Sequence, residues 1–404
     1  EMYRLHDLAQ ETGTPLADMD LASLVDLCTL CGLCPCQDIR TLALKAKAAR
    51  AEKKRPPLSA RLLSDARQTG RWGTAFSAVI NPLNRLSPVS ALAKKILDIH
   101  PERSLPIFPK ESFFAWAKKR GLTTPVKHAE KDVPRVAYFA GCSAGYLFPD
   151  VAKAAVGLLE QNGIQVCVPS QDCCSMPLIM EGNQKAAEKT IQANLEILGA
   201  CVQEGYDIIC SCPTCGYFFK KLLKDTAYYS EAFQHRANAG DNRMQVPTGS
   251  RNKEFTTVPM GIYKTFLKDD GYFSGIDPLQ RIDLSLNVQD LGEYLLARHK
   301  TEQLSISLKE PDQPLAYFAP CHQREQNIGH PYVEIIQSLP GTDIILVGGE
   351  MHCCGMGGHL GFKTGFHGHS LAIGGPLFDR LAAASDRTIV TDCLSCRMQL
   401  QHVF

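Results

Sequence analysis

The sequence lacks a charge imbalance, and it also lacks long apolar runs. Its 43 Lys and Arg residues offset 42 Asp and Glu residues, which leaves a formal net charge of +1. That balance gives no global reason to expect a nucleic acid or a strongly acidic partner. The longest apolar stretches fall well short of the roughly 18 residues that indicate a membrane span, and no secretory signal is recognisable. We therefore expect no nucleic-acid partner and no transmembrane span in this chain.

Cysteine is the residue type in excess, with 17 copies among 404 residues. Secreted proteins that depend on disulfides are normally much shorter than this chain. In a long chain without a recognisable signal, clustered cysteines are typical of metal ligands. The composition therefore favours iron–sulfur clusters or zinc over disulfides.

Ten cysteines form two matching sets of five, which we call the first and second cysteine sets. They are Cys142, Cys173, Cys174, Cys212 and Cys215, and then Cys321, Cys353, Cys354, Cys393 and Cys396. Each set reads as a single Cys, a Cys-Cys pair and a Cys-x-x-Cys. Zinc is satisfied by four ligands in a tetrahedron. Five thiols with an adjacent pair suit a multi-iron cluster better, because neighbouring thiolates can bind different irons.

Short apolar strands and amphipathic helices alternate around both sets. The predicted strands cover 136–140, 164–168 and 208–209 in the first copy, and 315–319, 343–347 and 388–390 in the second. Such alternation is typical of parallel α/β units, in which loops at the carboxyl ends of the strands build the site. Each cysteine set should therefore converge on one point. Cys167, Cys201 and Cys210 have no counterpart in the other copy, so we interpret them as structural.

A separate cysteine run near the N-terminus comprises Cys28, Cys31, Cys34 and Cys36. C-x-x-C-x-x-C is the core of a ferredoxin-type loop, whose short spacing lets successive thiolates converge on one cube of iron and sulfide. The usual run places three residues before its Cys-Pro, whereas here Pro35-Cys36 follows at once. Cys36 is the candidate fourth ligand. An external ligand or an open iron is the alternative, and a zinc knuckle is the other interpretation of the run.

The remaining sequence around the cysteine motifs is helical in character. Residues 37–56 are rich in Ala, Lys and Arg, and residues 60–120 mix apolar and basic residues between prolines. A solvated helix face and an ordinary core helix are the plain interpretations. Docking to an acidic partner or to a membrane surface is the functional alternative for both. Val288, Leu291, Leu295 and Leu296 suggest one amphipathic helix.

At these residues the sequence resembles the family with the heterodisulfide-reductase cysteine-rich domain, called the CCG domain. Its motif is a Cys, a Cys-Cys-Gly and a C-x-x-C, commonly in two copies, and Ser175 replaces the Gly of the first copy. The N-terminal part resembles the iron–sulfur subunit of anaerobic glycerol-3-phosphate dehydrogenase and the membrane-docking heterodisulfide reductase subunit. It is also similar to cytoplasmic iron–sulfur subunits of the transmembrane redox complexes of sulfate reducers.

The resemblance implies an order of domains and a set of cofactors. We expect a helical ferredoxin-like domain at 1–130, a first CCG domain at 131–250, a helical connector at 251–310 and a second CCG domain at 311–404. Each five-cysteine set would hold a non-cubane [4Fe–4S] cluster. The N-terminal run would hold a cubane [4Fe–4S] cluster. The fold expected is α/β, with duplicated parallel strand–helix units after a mainly helical domain.

The function implied is that of an iron–sulfur electron-transfer subunit of an anaerobic redox complex, peripheral on the inner face of the cell membrane. Its partners would be other subunits, such as a membrane cytochrome b or quinone-reactive subunit, together with a thiol/disulfide couple or a redox protein. One alternative is that this chain is itself the catalytic disulfide reductase, with the cluster ligands as the candidate catalytic residues. A zinc-bound scaffold protein is the other.

Overall fold

Residues 38–119 form a series of helices. The computed structural model describes residues 25–32, 34, 38–124, 133–237, 243–248, 254–259, 271–304, 313–348 and 352–404. The helices are α1 Asp38–Lys53, α2 Leu58–Ser64, α3 Ala66–Ala75, α4 Ser77–Arg85, α5 Ser87–Ile96 and α6 Phe113–Lys119. Prolines punctuate this region as the sequence indicates, with Pro57 preceding α2 and Pro88 in the first turn of α5.

The first cysteine set belongs to a four-stranded parallel sheet with the order β2-β1-β3-β6, in which the edge strand β6 is Val288–Asp290. Its elements are β1 Arg135–Phe139, α7 Gly141–Tyr146, α8 Pro149–Gln161, β2 Gln165–Cys167, α9 Met176–Met180, α10 Gln184–Gln203, β3 Asp207–Cys210 and α11 Pro213–Tyr217. A π-helical turn, Phe218–Leu222, continues α11, and a short helix α12, Glu231–Arg236, follows it.

The second cysteine set belongs to a three-stranded parallel sheet with the order β8-β7-β9. Its elements are β7 Leu315–Phe318, α15 Cys321–Arg324, α16 Pro331–Gln337, β8 Ile344–Val347, α17 His367–Ala382, β9 Thr388–Val390 and α18 Leu394–Val403. In both sheets the first strand is central and the next two strands flank it. The predicted α/β fold with duplicated parallel units is therefore confirmed.

The segment between the copies differs from the helical connector that we expected at 251–310. An antiparallel pair, β4 Arg243–Pro247 and β5 Phe255–Pro259, precedes α13 Pro278–Leu286, β6 Val288–Asp290 and α14 Leu291–Lys300. The helical spacing of Val288 to Leu291 and Leu295 predicts a helix that includes Val288. Val288 lies instead in β6, which pairs with β3. Asp290 caps α14 in a capping box with Glu293, so the helix starts later than predicted.

The apolar core is shared by all three parts of the chain. Alternate side chains of β1 point to opposite faces, so Val136 and Tyr138 enter one cluster while Ala137 and Phe139 enter another. The apolar cluster of Val136 and Tyr138 also contains residues of α6, α16 and α18. The apolar cluster of Ala137 and Phe139 contains residues of the N-terminal loop, of α1 and of the second copy. The helices and the two sheets therefore pack as one unit around the cysteine sets.

Two cations of the basic helix α1 are buried, which corrects the interpretation of this helix as a solvated face. Arg40 is 6% exposed and Lys47 is 4% exposed. Arg40 donates to the Tyr217 hydroxyl at 2.8 Å and to Glu325 Oε2 at 2.5 Å. Because Tyr217 lies in the first copy and Glu325 in the second, Arg40 binds the N-terminal part to both.

Candidate metal centre

The five thiols of the first cysteine set form a continuous chain of contacts. Cys142 follows β1, the Cys173-Cys174 pair follows β2, and Cys212 caps the start of α11 after β3. Cys173 Sγ lies 3.6 Å from Cys142 Sγ. Hydrogen bonds then join Cys173 to Cys174, Cys174 to Cys215 and Cys215 to Cys212. The carboxyl ends of three parallel strands thus bring the set together, as expected.

The second cysteine set repeats this chain of contacts in the same order. Hydrogen bonds join Cys321 to Cys353, Cys353 to Cys354, Cys354 to Cys396 and Cys396 to Cys393. The Cys354 and Cys396 sulfurs are 3.0 Å apart. All of the cysteines that the structure describes are free thiols, so both sets can supply thiolates to a metal.

The two cysteine sets line one common cavity of about 100 Å³. Nine of the ten thiols contribute to its wall: Cys142, Cys174, Cys212 and Cys215 from the first set, and all five from the second. The thiols of Cys212 and Cys393 lie close enough to interact electrostatically across it. The sequence predicted convergence within each set but not this convergence of the two sets. Cys167, Cys201 and Cys210 are buried and do not line the cavity.

Backbone N–H groups point at several of the sulfurs. Cys212 accepts from the N–H groups of Thr214 and Cys215, and Cys393 accepts from those of Ser395 and Cys396. Both acceptors stand at helix starts, where free N–H groups stabilise thiolate charge. The Gly355 N–H lies 3.4 Å from Cys353 Sγ. Donors of this kind help set the potential of a bound cluster.

Neighbouring thiols shift one another's pKa in opposite directions. Hydrogen bonds from Cys173 and Cys215 lower the pKa of Cys174 to about 6. In the second set the lowered thiol is instead the first of the pair: hydrogen bonds from Cys321 and Cys354 hold the pKa of Cys353 well below its usual value. The pKa of the donating thiol is raised instead. For Cys321, the hydrogen bond to Cys353 and burial both raise the pKa. Each set therefore already favours thiolates at some positions, and metal binding would release the remaining protons.

The residue after each Cys-Cys pair adopts the same left-handed backbone conformation. Ser175 and Gly355 both have φ of 77°. At Gly355 a Cβ atom would lie 1.9 Å from the Ser370 carbonyl oxygen, so only glycine fits there. Ser175 is fully buried, and its hydroxyl donates to the Ala187 carbonyl oxygen at 3.4 Å. The replacement of Gly by Ser in the first copy therefore preserves the turn.

The N-terminal loop lies against the common cavity. Cys28 and Cys31 are partly exposed and Cys34 is exposed, whereas Cys36 lies outside the described residues. Thr29 lines the cavity, and the Leu30 carbonyl accepts from His322 Nε2 at 3.1 Å. The cluster loop is thus placed beside both cysteine sets, while ligation by Cys28, Cys31, Cys34 and Cys36 stays a prediction.

His322 is a residue of the site that our sequence reasoning missed. It lines the cavity, stacks on Tyr217 with ring centroids 4.7 Å apart, and lies 2.9 Å from the Thr214 hydroxyl. Because Nε2 donates to Leu30, Nδ1 accepts from Thr214, which fixes the neutral tautomer. Burial also lowers the pKa of His322. Comparison of the copies could have found it, since Ser143 follows Cys142 where His322 follows Cys321.

The donors present fit iron–sulfur clusters. Thiolates are the usual ligands of these clusters. Here two sets of five thiols converge, each supported by backbone N–H donors. Zinc alone would leave thiols of each set unused, because it takes four ligands.

Comparison with known proteins identifies the repeated unit. Residues 136–220 and 315–401 match the family model of the CCG cysteine-rich domain. The chain thus contains two CCG domains, and the family resemblance expected from the sequence is confirmed.

Named relatives extend this likeness beyond the repeats. One subunit of the anaerobic glycerol-3-phosphate dehydrogenase of Escherichia coli K12 is 25% identical over 356 residues, covering 87% of this chain and 75% of that protein. A subunit of the fumarate reductase (CoM/CoB) of Methanothermobacter marburgensis is 24% identical over 270 residues, 66% of this chain and 42% of that protein. An uncharacterized iron–sulfur protein of Methanocaldococcus jannaschii is 23% identical over 275 residues, 68% of this chain and 42% of that protein. These likenesses support iron–sulfur clusters and an electron-transfer role.

Proposed function

We propose that this protein is an iron–sulfur electron-transfer subunit of a membrane-associated anaerobic redox complex. The observation that carries the proposal is the common cavity, where both cysteine sets meet and against which the N-terminal loop lies. Electrons would pass between a membrane cytochrome b or quinone-reactive subunit and a thiol/disulfide or redox-protein partner. The dehydrogenase and fumarate reductase relatives are each named as one subunit of a redox enzyme, which supports a complex with other subunits.

The proposed ligands of the paired clusters follow from the contact chains, and those of the N-terminal cluster follow from the cysteine spacing. Each five-cysteine set would hold one non-cubane [4Fe–4S] cluster, and Cys28, Cys31, Cys34 and Cys36 would hold one cubane cluster. Such clusters supply one-electron transfer. The residues of the chain orient the thiols and supply N–H donors to them. His322 and Arg40 would hold the N-terminal loop at a fixed position beside the paired sets.

The membrane part of the proposal rests on the exposed surface of α2–α5. Ten large apolar side chains there are 38–67% exposed: Leu58, Leu62, Trp72, Phe76, Val79, Leu83, Leu86, Val89, Leu92 and Ile96. Basic residues lie among them, and no acidic residue occurs between Asp65 and Asp98. Apolar side chains among cations suit the headgroup region of an anionic bilayer. None of the helices in the described ranges combines the length and apolar character needed to cross a bilayer.

The clusters can be tested on protein purified anaerobically. We expect iron and acid-labile sulfide, together with EPR signals of both cubane and non-cubane type. Cys174→Ser should lose iron from the first set. Cys210→Ser is the matched control and should keep it, because Cys210 is equally buried but does not line the cavity. Protein without iron and sulfide, or equal iron in the two variants, would contradict the proposed ligand sets.

Membrane association is tested separately by sedimentation with anionic phospholipid vesicles. Leu92→Glu places a charge on the exposed surface of α5 and should weaken vesicle binding. Leu286→Glu is the control, because Leu286 is also exposed (45%) but lies on α13. Equal binding by both variants and the unmodified protein would exclude the α2–α5 surface as the membrane contact.

The common cavity also favours a second candidate, in which this chain is itself the disulfide reductase. Reduction of a disulfide takes two electrons and two protons and yields two thiols. Two cysteine sets facing one cavity could deliver one electron each to a single substrate. A small organic disulfide should then oxidise the reduced protein, and Cys353→Ser should abolish that oxidation. If disulfide leaves the reduced protein unchanged, the role is electron relay alone.

A further inference from the structure

A second, larger cleft lies beside the cysteine cavity. Its volume is about 620 Å³, which is in the range of sites for small organic molecules. Helices α1 and α2 form one wall, and residues of both CCG domains form the other. Its apolar lining comprises Leu27, Leu63, Leu97, Met180, Leu360 and Phe366. Met180 also lines the cysteine cavity, so a single side chain is shared by the walls of the two spaces.

The charges on the cleft wall leave an excess of cations. Four charged residues of the wall form two ion pairs, within which the charges cancel. Arg50 contacts Asp26 at 2.6 Å, and Lys363 contacts Glu181. The remaining charged wall residues are Lys47, Lys54, Arg55 and Asp98. Three cations therefore face one carboxylate, which favours a ligand with negative charge.

Lys47 is the most constrained of these cations. It is only 4% exposed, and its ammonium forms no hydrogen bond or ion pair with any residue of the described ranges. Burial lowers the pKa of Lys47, although Asp26, Cys28 and Glu181 act in the opposite direction. A desolvated ammonium with three unused donors is costly. The same three donors would be satisfied by an anionic ligand in the cleft.

The position of Lys47 is fixed by close packing of α1. A Cβ atom on Gly182 would lie 2.2 Å from the Lys47 carbonyl oxygen, so the backbone of α1 touches the turn after α9. Gly182 itself has φ of 71°, which glycine adopts readily. Lys47 is therefore held at the cleft by the fold and not by a partner of its own side chain. Such a preorganised cation is typical of a binding site.

We propose that this cleft binds an amphipathic organic anion, with its apolar body on the Leu27, Met180 and Phe366 side and its carboxylate, sulfonate or phosphate on Lys47. This binding site goes beyond the proposed electron-transfer function and does not depend on it. A ligand there would lie between the N-terminal cysteine loop, which begins directly after Leu27, and the common cavity behind Met180.

Two fluorescent probes that share one apolar body can test the proposal on the full chain, purified anaerobically. One is 1-anilinonaphthalene-8-sulfonate, which carries a sulfonate, and the other is the neutral N-phenyl-1-naphthylamine. Lys47→Met keeps an unbranched side chain, one heavy atom shorter, and removes its charge. We expect it to weaken sulfonate binding by about 10- to 100-fold, the usual range for a lost hydrogen bond to a charged group. Binding of the neutral probe should be unchanged or stronger.

Two further variants control for binding at other surfaces. Lys53→Met makes the same change in the last turn of α1, where Lys53 is exposed and outside the cleft wall. It should leave sulfonate binding unaltered. Ser59→Trp places a bulky ring in the cleft wall and should block both probes. Because Lys47→Met removes a buried charge that has no partner among the residues that the structure describes, we expect its unfolding midpoint not to fall. The midpoint is measured on each variant, so that a loss of binding is distinguished from misfolding.

Two results would overturn the proposal, and iron content distinguishes two explanations of the first. Equal sulfonate affinity in the unmodified protein and Lys47→Met would show that Lys47 meets no anion. Full binding by Ser59→Trp would place the probe elsewhere. A Lys47→Met protein with unchanged sulfonate affinity but less iron would show instead that Lys47 balances the charge of the N-terminal cluster near Cys28. Iron content is measured on every variant, so failure of this site is distinguishable from failure of the electron-transfer function.

Discussion

Gly355→Ala should damage the second cysteine set selectively. Gly355 follows Cys354 with φ of 77°, and an L-residue in this conformation costs about 1–2 kcal/mol. The added Cβ would also lie 1.9 Å from the Ser370 carbonyl oxygen and 3.0 Å from the Gly374 nitrogen. Those atoms belong to the backbone of α17, so either that helix or the cysteine loop must move. We expect a total loss of about 3 kcal/mol in the free energy of unfolding.

The first copy supplies a matched control for this substitution. Ser175 occupies the equivalent position with the same φ, and it already carries a Cβ. Ser175→Ala removes only its 3.4 Å hydrogen bond to the Ala187 carbonyl, which should cost about 1 kcal/mol or less. Anaerobic thermal melts and iron-to-protein ratios compare the two variants. Gly355→Ala should melt earlier and hold less iron. If both variants keep the melting temperature and iron of the unmodified protein, the turn is not what positions the Cys353-Cys354 pair.

Three further substitutions test the surroundings of the cysteine sets. His322→Phe keeps the ring stack but cannot donate to the Leu30 carbonyl, so Cys28 and Cys31 should alkylate faster in metal-free protein; an unchanged rate would refute this. Arg103 is 1% exposed and donates to His367, Gln399 and Ser370, which are all neutral. Burial lowers the pKa of Arg103, and the nearby Cys354 sulfur acts in the opposite direction. Arg103→Met should therefore lower the reduction potential of a cluster at the second set in EPR titrations, whereas Arg103→Lys should preserve it. Although burial opposes them, contacts with His359 and Lys363 lower the pKa of Glu181 to about 2. The stabilisation from Glu181, up to about 3 kcal/mol, is present above pH 4.5 and lost toward pH 2. At pH 6, Glu181→Gln should therefore have a lower free energy of unfolding in denaturant than the unmodified protein. This difference should shrink below pH 4.5.

The repeated parts of the structure were predictable because each is determined locally. Each cysteine follows a short apolar strand, and parallel strands place such residues at one edge of a sheet. The equivalence of Ser175 and Gly355 was likewise visible in the alignment of the two copies.

The features that sequence reasoning missed depend on packing between distant segments. Val288 has helical spacing to Leu291, but the open edge of β3 recruits it into β6. Lys47 has the sequence context of a solvated helix, yet α1 is covered by the first CCG domain at Gly182. The meeting of the two cysteine sets in one cavity has no local signal, because a repeat specifies each copy and not how the copies face each other.

The cavity depends on contacts that join every part of the chain to the other two. His322 of the second copy stacks on Tyr217 of the first and donates to Leu30 of the N-terminal loop. Arg40 of α1 in turn donates to Tyr217 and to Glu325 of the second copy. Electron transfer between the proposed clusters would require fixed separations, and these contacts hold the N-terminal loop and the two cysteine sets at fixed positions relative to one another. Since the apolar clusters also draw on all three parts, an isolated CCG domain of this protein would lose part of its core together with half of the cavity wall.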